Sequence, residues 1–314
     1  MAHVKEVIFD HHFGHYTPDE ITAGRIAWCR RLPANWFGKQ LAQWQRKRVM
    51  KSLEGPLDLT LDGIRMRVIL TDNVSERNFV FMPWRFDALE RDLMLKLLPR
   101  DGVLVDMGAN AGIYSCLAAR HLSQSGVVVA IEPNPDMIQR LQFNIEATLT
   151  DSPQPPRIEI QPVAISDKSG QVSLYLSDDN LGASSLHTKP SGRKIDVETQ
   201  TLLALLAQLK LSRVHVLKCD IEGSEDRALV PFFTDAPNHL LPDCVIIEHN
   251  PQQWQQPLLE VIKQRGYLES HRTRMNVVLQ QRQQIKLRDT EQAVTKAVKT
   301  SSVAGLAHRE STGR

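Results

Sequence analysis

The chain is 314 residues long, 42% hydrophobic and 24% charged, a composition that suits a globular protein with a sizeable core, as one large domain or two small ones. Its formal net charge of +2 is too small to point to nucleic acid, and no apolar run approaches the roughly 18 residues of a membrane span. Four scattered cysteines (Cys29, Cys116, Cys219, Cys244) without Cys-x-x-Cys spacing argue against a structural zinc and read as reduced; with no basic-then-apolar leader either, a soluble cytoplasmic protein is expected.

Residues 1–55 read as a helical accessory segment. Thr17 as N-cap, Pro18 in the first turn and Glu20 as its capping-box partner predict a helix to about Arg31, stopped before Pro33. A second helix, from Asn35 to about Leu53, carries Trp36, Phe37, Leu41 and Trp44 near one face, with Arg46, Lys47 and Arg48 further along. Such a face within residues 35–53 either docks a membrane surface or partner, or packs its aromatics on the main domain; the second arrangement is expected. His11, His12 and His15 have no carboxylate or cysteine at a helical spacing, and read as a solvated tail rather than a metal site.

Residues 56–282 form the main domain. Leu57 to Leu61 and Ile64 to Val68 alternate with a period of two around Asp62-Gly63, which predicts a β-hairpin. A helix from Asp87 to Leu98 leads into Val103 to Met107, an apolar, β-branched run typical of a strand buried on both faces. The small-residue turn Gly108 to Gly112 follows, then a helix from Ile113 to His121. Strand, turn and helix make a nucleotide-type cradle, in which glycines let the backbone approach a ligand and new helical amides point into the turn. Asp106, at the strand's end, is placed to meet an ammonium or hydroxyl group. A second strand, Val127 to Ile131, ends in Glu132, 26 residues past Asp106, where nucleotide-binding sheets hold ribose hydroxyls. A helix from Asp136 to about Leu149 comes next.

Further on, Ile158 to Ile165 reads as a third strand and Gln171 to Leu176 as an antiparallel excursion. Asp178 to Gly192 is a polar loop, either a lid or surface slack. A helix over Thr201 to Leu211 precedes a fourth strand, Val214 to Cys219, ending in Asp220-Ile-Glu-Gly223. Cys244 to Ile247 is a fifth, ending in Glu248-His249. A helix from about Trp254 to Arg265 and a closing strand pair, Gly266 to Ser270 and Asn276 to Leu279, complete the domain. Residues 283–314 are polar without a steady apolar period and read as a partly disordered tail.

Strands alternating with helices predict a doubly wound, mostly parallel α/β sheet whose ligands bind at the carboxyl ends of the strands. Asp106, Glu132, Asp220, Glu222, Glu248 and His249 converge on that rim. A dinucleotide enzyme would prefer Gly-x-Gly-x-x-Gly, but here Asn110 occupies the middle of the turn. S-adenosylmethionine (SAM) brings no phosphates, yet needs an acid on its ribose and polar groups for its amino-acid end, so SAM is favoured. An NAD(P)-dependent oxidoreductase on the same fold and an inactive SAM-binding partner subunit remain alternatives. A base-flipping nucleic-acid enzyme is disfavoured, because the fourth strand does not end in an Asn/Asp-Pro-Pro-aromatic pocket.

Several segments resemble the FkbM-type SAM-dependent methyltransferases: Val105-Asp-Met-Gly-Ala-Asn-Ala-Gly-Ile-Tyr-Ser115, Ala130-Ile-Glu-Pro-Asn-Pro135 with Asn144, Val163-Ala-Ile-Ser-Asp167, Gly182-Ala-Ser-Ser-Leu186 and Leu217-Lys-Cys-Asp-Ile-Glu-Gly-Ser-Glu225. The resemblance covers about Leu57 to Leu279; Leu203, where the family often has Asp, is a departure. It implies a class I fold, a Rossmann-like seven-stranded sheet with one antiparallel strand, and methyl transfer to an oxygen of a sugar, glycan or other secondary metabolite. On that footing Asp106, Gly108, Ala109, Asn110 and Gly112 are expected at the methionine end of SAM, Glu132 with neighbouring Asn134 at the ribose, and Ala164 near the adenine. Asp220, Glu222 and His249 are expected on the acceptor side. They would act as a general-base site, or Asp220, Glu222 and Glu248 would ligate a Mg²⁺-like ion that acidifies the hydroxyl. The plainer reading of Glu222 is a helix N-cap, and of Lys218 a partner for one of these carboxylates.

Overall fold

A computed structural model describes residues 8–176, 193–283 and 285. The expected Asp178 to Gly192 loop, the Gly182-Ala-Ser-Ser-Leu186 segment and the tail beyond 285 lie outside the described residues.

Helices α1 (Glu20–Arg30) and α2 (Trp36–Ser52) come first. The cap of α1 is Asp19, which accepts from the Thr22 amide at 2.7 Å; Thr17 instead donates to the Gly14 carbonyl. Asn35 caps α2 through the Gly38 amide at 2.9 Å. The hairpin β1 (Leu57–Leu61) and β2 (Ile64–Val68) pairs as its alternation predicts, and a helix not foreseen, α3 (Val74–Phe81), precedes α4 (Ala88–Leu97). Then follow β3 (Val103–Met107), α5 (Ile113–His121), β4 (Val127–Ile131), α6 (Pro135–Leu149) and β5 (Arg157–Gln161).

The expected third strand is two. Pro162 has no amide to give a ladder, so pairing stops at Gln161 and the chain steps into a second sheet as β6 (Ala164–Ile165). There it joins β7 (Gly170–Tyr175), the antiparallel excursion, and β8 (Lys194–Gln200). The chain returns through α7 (Leu202–Gln208), β9 (Val216–Cys219), α8 (Glu225–Asp235) and β10 (Cys244–Glu248), and closes with α9 (Leu258–Gln264), β11 (Tyr267–Arg272) and β12 (Asn276–Gln281). Helix α9 starts later than its sequence suggests. Asp226 takes the amides of Gln255 and Gln256, and Glu225 takes the Trp254 indole, which holds 254–256 outside the helix.

The main sheet has seven strands in the order β11-β12-β10-β9-β3-β4-β5. Pairings from β10 through β5 are parallel, and β12 runs antiparallel to both its neighbours. From β3 the chain moves outward to β4 and β5, then returns to β9 on β3's other side. The switch point, where a ligand crevice opens, is therefore between β3 and β9.

One apolar layer packs α5, the hairpin and the N-terminal helices on one face of the sheet; the other packs α7, α8 and α9 on the opposite face. Ile26, Cys29, Ala42 and Val49 belong to the same continuous core as Met66 and Phe79, so α1 and α2 are built into the domain's layer. Burial of Ile26 and of Val49 contributes about 1.5–3 kcal/mol each. The chain before α1 is pinned as well: Arg67 donates to the carbonyls of Ile8, His11 and His12 while paired with buried Asp58 at 2.7 Å. His11 and His12 are thus tied by their carbonyls, and His15 lies between Gly14 and Tyr16, whose amides donate to Asp58, so the segment is not a free tail.

The aromatics of α2 do not pack on the domain. The small residues Gly38 and Ala42 and the β-branched Val49 face inward, leaving Trp36 at 73%, Phe37 at 60% and Trp44 at 51% exposure. All four cysteines are buried and free.

Candidate active site

A cavity with about 960 Å³ of empty space, mouth included, lies at the switch point. One wall is Gly108 to Ala111, with Glu132 and Pro133. A second is apolar, from Val163, Ala164, Ile165 and Leu174. A third carries polar chemistry: Asp87, Tyr114, Lys218, Asp220 and Glu222.

The Gly108–Gly112 turn is closed on itself. The amides of Gly108 and Ala109 both donate to Ile131, that of Asn110 to Glu132, that of Ala111 to the Asn110 side chain, and that of Gly112 to Ala109. Its small residues answer to protein packing. Gly108 (φ +73°) lies against the Asp220 carbonyl so closely that a Cβ there would overlap it, and a Cβ on Gly112 (φ +90°) would stand 2.6 Å from Leu141. The expected close approach of backbone to ligand is therefore an approach of two strand-end turns to each other. Asn144 reinforces it, accepting from the Arg67 amide and donating to the Ala111 carbonyl, so that hairpin, α6 and turn are joined at one side chain.

Glu132 ties the second strand end to the first, each carboxylate oxygen accepting one backbone amide: Asn110 to Oε2 and Asn134 to Oε1, both at 2.9 Å. Burial pushes its carboxyl up to about 7. Asn134 is buried behind it as the cap of α6.

Asp106 is not on the cavity wall. It is fully buried, accepts from Ser115 Oγ at 2.7 Å and faces its cross-strand neighbour Lys218 at 3.4 Å. Lys218 reaches the cavity in its place, donating to the Gly108 carbonyl at 2.8 Å and lying 3.7 Å from Asp220. Burial pulls the ammonium's pKa down, but Asp106 and Asp220 outweigh it and hold the group above its ordinary value.

The acceptor-side residues separate. Asp220 and Glu222 line the cavity; Glu248 and His249 do not. His249 lies beside Arg272, 2.8 Å from its guanidinium, and edge-on to Trp254, and burial together with the Arg272 charge lowers its pKa. Burial, with the charges of Asp220, Glu222 and Glu225 nearby, pushes the Glu248 carboxyl well up. Among the described residues no three acidic, histidine or cysteine side chains are arranged to hold a metal ion, so Asp220, Glu222 and Glu248 do not make the donor set entertained for them.

Glu222 does not cap a helix. Helix α8 begins after Ser224 without a side-chain cap; Glu225 instead closes the preceding turn, accepting from the amides of Ile221 and Gly223, while Glu222 is left at φ +57° with its side chain on the wall. Burial, with Asp220 and Glu225 nearby, pushes its carboxyl up to about 7. Sequence reasoning missed Asp87, which it read only as the start of a helix. Its backbone is left-handed (φ +44°), its side chain makes no capping bond, and it binds Asn276 and Tyr114 instead. Burial and the charges of Glu90 and Asp220 push it up to about 6. Among the described residues, three of the five non-glycine residues with positive φ, Asp87, Asn110 and Glu222, thus line one cavity, and such strain concentrates at functional sites.

Residues 106–279 match the family model of the methyltransferase FkbM domain. A hexuronic acid methyltransferase, AglP, from Haloferax volcanii is 29% identical over 147 residues; the match covers 45% of this chain and 56% of that protein, so the chain spans about half the length of this curated relative. Among solved structures, a methyltransferase FkbM from Methylobacillus flagellatus KT is 15% identical, with 66% of this chain and 55% of that one covered and a TM-score of 0.36. An O-methyltransferase from Bacillus cereus in complex with SAH is 13% identical, with 61% and 77% covered and a TM-score of 0.35. Scores this low carry no argument about the site.

Proposed function

Since the chain belongs to the FkbM methyltransferase family, we propose that it transfers a methyl group from SAM to a hydroxyl of a sugar, glycan or related polyhydroxylated metabolite. The observation that carries this reading is the division of one cavity into a Glu132 corner, an apolar wall and a carboxyl-rich wall.

The residues present suit SAM. Each Glu132 oxygen has a lone pair beyond the amide it accepts, which is what two ribose hydroxyls need. Val163 to Ile165 supply an apolar face for a nucleobase. The turn amides are all paired, so no pyrophosphate nest competes with this reading in favour of a nicotinamide dinucleotide.

When bound, SAM supplies a methyl group already activated on a sulfonium. This chain must align an acceptor oxygen and remove its proton. Glu222 is the base: it lines the cavity, is held near neutrality, and stands on a turn fixed by Glu225. Lys218 balances Asp106 and Asp220 and holds the Gly108 carbonyl. Three carboxyl groups on the wall favour an acceptor that presents hydroxyl donors. The relative's name makes a hexuronic acid the first acceptor to try.

The test is calorimetry with SAM and S-adenosylhomocysteine, followed by transfer of labelled methyl from SAM to hexuronic acids and neutral sugars. Binding together with acid-stable methyl ether formation supports the reading. Absence of binding, or thermal protection by NAD(P)H in place of SAM, overturns it.

A further inference from the structure

Residues 21–53 hold eight of the chain's 38 basic residues and none of its 36 acidic ones, which leaves the rest of the chain net acidic. The same stretch carries Ile21 (67% exposed), Trp28 (41%), Trp36, Phe37 and Trp44 on its surface, five of the nine large hydrophobic side chains exposed among the described residues. These groups are built outward. In α2 the inward face is reserved for Gly38, Ala42 and Val49; Gly38 packs so tightly on Pro33 that a Cβ would overlap its carbonyl. Phe37, Trp44 and Arg48 fall on one stripe at helical spacing, with the Arg48 guanidinium 4.8 Å from the Trp44 ring. Lys47 and Lys51 are exposed beside them.

We propose that α1 and α2 form a docking face for an anionic lipid bilayer, lying in the interface with the aromatic side chains at headgroup depth and the basic ones on the lipid phosphates. Indole and phenyl rings flanked by Lys and Arg, with Glu20 at the start of α1 the one carboxylate in the two helices, match the chemistry of an interfacial helix. Each basic side chain near an anionic surface raises partitioning about fivefold. The helices are anchored through Ile26, Cys29 and Val49 in the domain's core, so docking needs no refolding. The chain's own C-terminal residues 286–314 are a poor cover for this face, because they too carry more basic than acidic groups.

The experiment is co-sedimentation of the full-length protein with sucrose-loaded vesicles of phosphatidylcholine alone, or containing phosphatidylglycerol. Anionic vesicles are expected to pull the protein down, neutral ones far less, with the difference shrinking as salt is raised. Trp36→Ala with Phe37→Ala and Trp44→Ala, and separately Lys47→Glu with Lys51→Glu, should each lower partitioning at least about tenfold. The affinity for S-adenosylhomocysteine and the unfolding temperature should stay unchanged, which separates loss of docking from loss of fold. Equal sedimentation with both vesicle types, or with neither, overturns the proposal. So does tight binding of single-stranded RNA without vesicle binding, or self-association that the aromatic substitutions abolish.

Discussion

The amide of Asn110 donates to Glu132 Oε2 at 2.9 Å, and this bond joins those from Gly108 and Ala109 to the Ile131 carbonyl in tying the ends of β3 and β4 together. Glu132 is therefore a bracket for the turn as well as the residue proposed to hold the ribose. Glu132→Ala should weaken S-adenosylhomocysteine binding on the order of tenfold to a hundredfold, since charge-assisted hydrogen bonds contribute about 1.5–3 kcal/mol each. Calorimetry measures it. Because its carboxyl is pushed up to about 7, the affinity of the parent protein should rise with pH through that value as the carboxylate forms, and the alanine variant should lose this dependence.

Glu222→Gln should lower the turnover rate by roughly 10²–10⁴-fold, the usual contribution of a general base, while leaving the affinity for S-adenosylhomocysteine within about threefold. The sign of the pH dependence follows from the raised carboxyl, at about 7. Below that value Glu222 is protonated and cannot accept, so the parent's rate climbs through pH 7 and levels above it. A glutamine variant that kept the acid limb would assign it to another group, and Asp87, pushed up to about 6, is the next to substitute.

Gly108→Ala should destabilise the fold by at least about 1–3 kcal/mol and abolish ligand binding, because a Cβ at φ +73° overlaps the Asp220 carbonyl. Urea titration followed by ligand calorimetry distinguishes the two effects. A well-folded variant that still binds would show that the turns can part.

Arg67→Met removes the cation from a fully buried pair and frees the carbonyls of Ile8, His11 and His12. The expected loss is about 3–5 kcal/mol at neutral pH, read by chemical denaturation. Burial would raise the Asp58 carboxyl, but its bonds to Arg67, Tyr16 and Gly14 outweigh this and hold it below its ordinary value of 3.8. A carboxyl depressed in the folded state stabilises above its unfolded pKa and loses that contribution as pH falls through the folded one. The gap between parent and variant should therefore close in acid.

Much of this architecture was legible because parallel strands buried on both faces leave an unmistakable apolar run: β3, β4 and β10 lie where Val103, Val127 and Cys244 announce them. Glu132 could be placed on the cavity from its position at a strand end, and Ala164 from the family resemblance. What spacing could not show was the direction of side chains and the sharing of amides. Asp106 turns inward to Lys218, and His249 turns to Arg272, although each follows or ends a strand as a site residue would. Asp87 was hidden by its place at a helix start, where nothing in the sequence shows its left-handed backbone. The α2 aromatics were expected inward on the general tendency of large apolar groups, but the small residues Gly38 and Ala42 already filled the inward face.

Pro162 hands the chain from the seven-stranded sheet to the three-stranded one, and the cavity's apolar wall comes with it: Ala164 and Ile165 lie on β6, Leu174 on β7. The polar corner at Glu132 and Asp220 hangs from the larger sheet. No strand pairing joins the two sheets among the described residues. A cofactor lying across the cavity would rivet this seam, its sugar on one plate and its base on the other, so that occupancy and the mutual alignment of the sheets become a single mechanical variable.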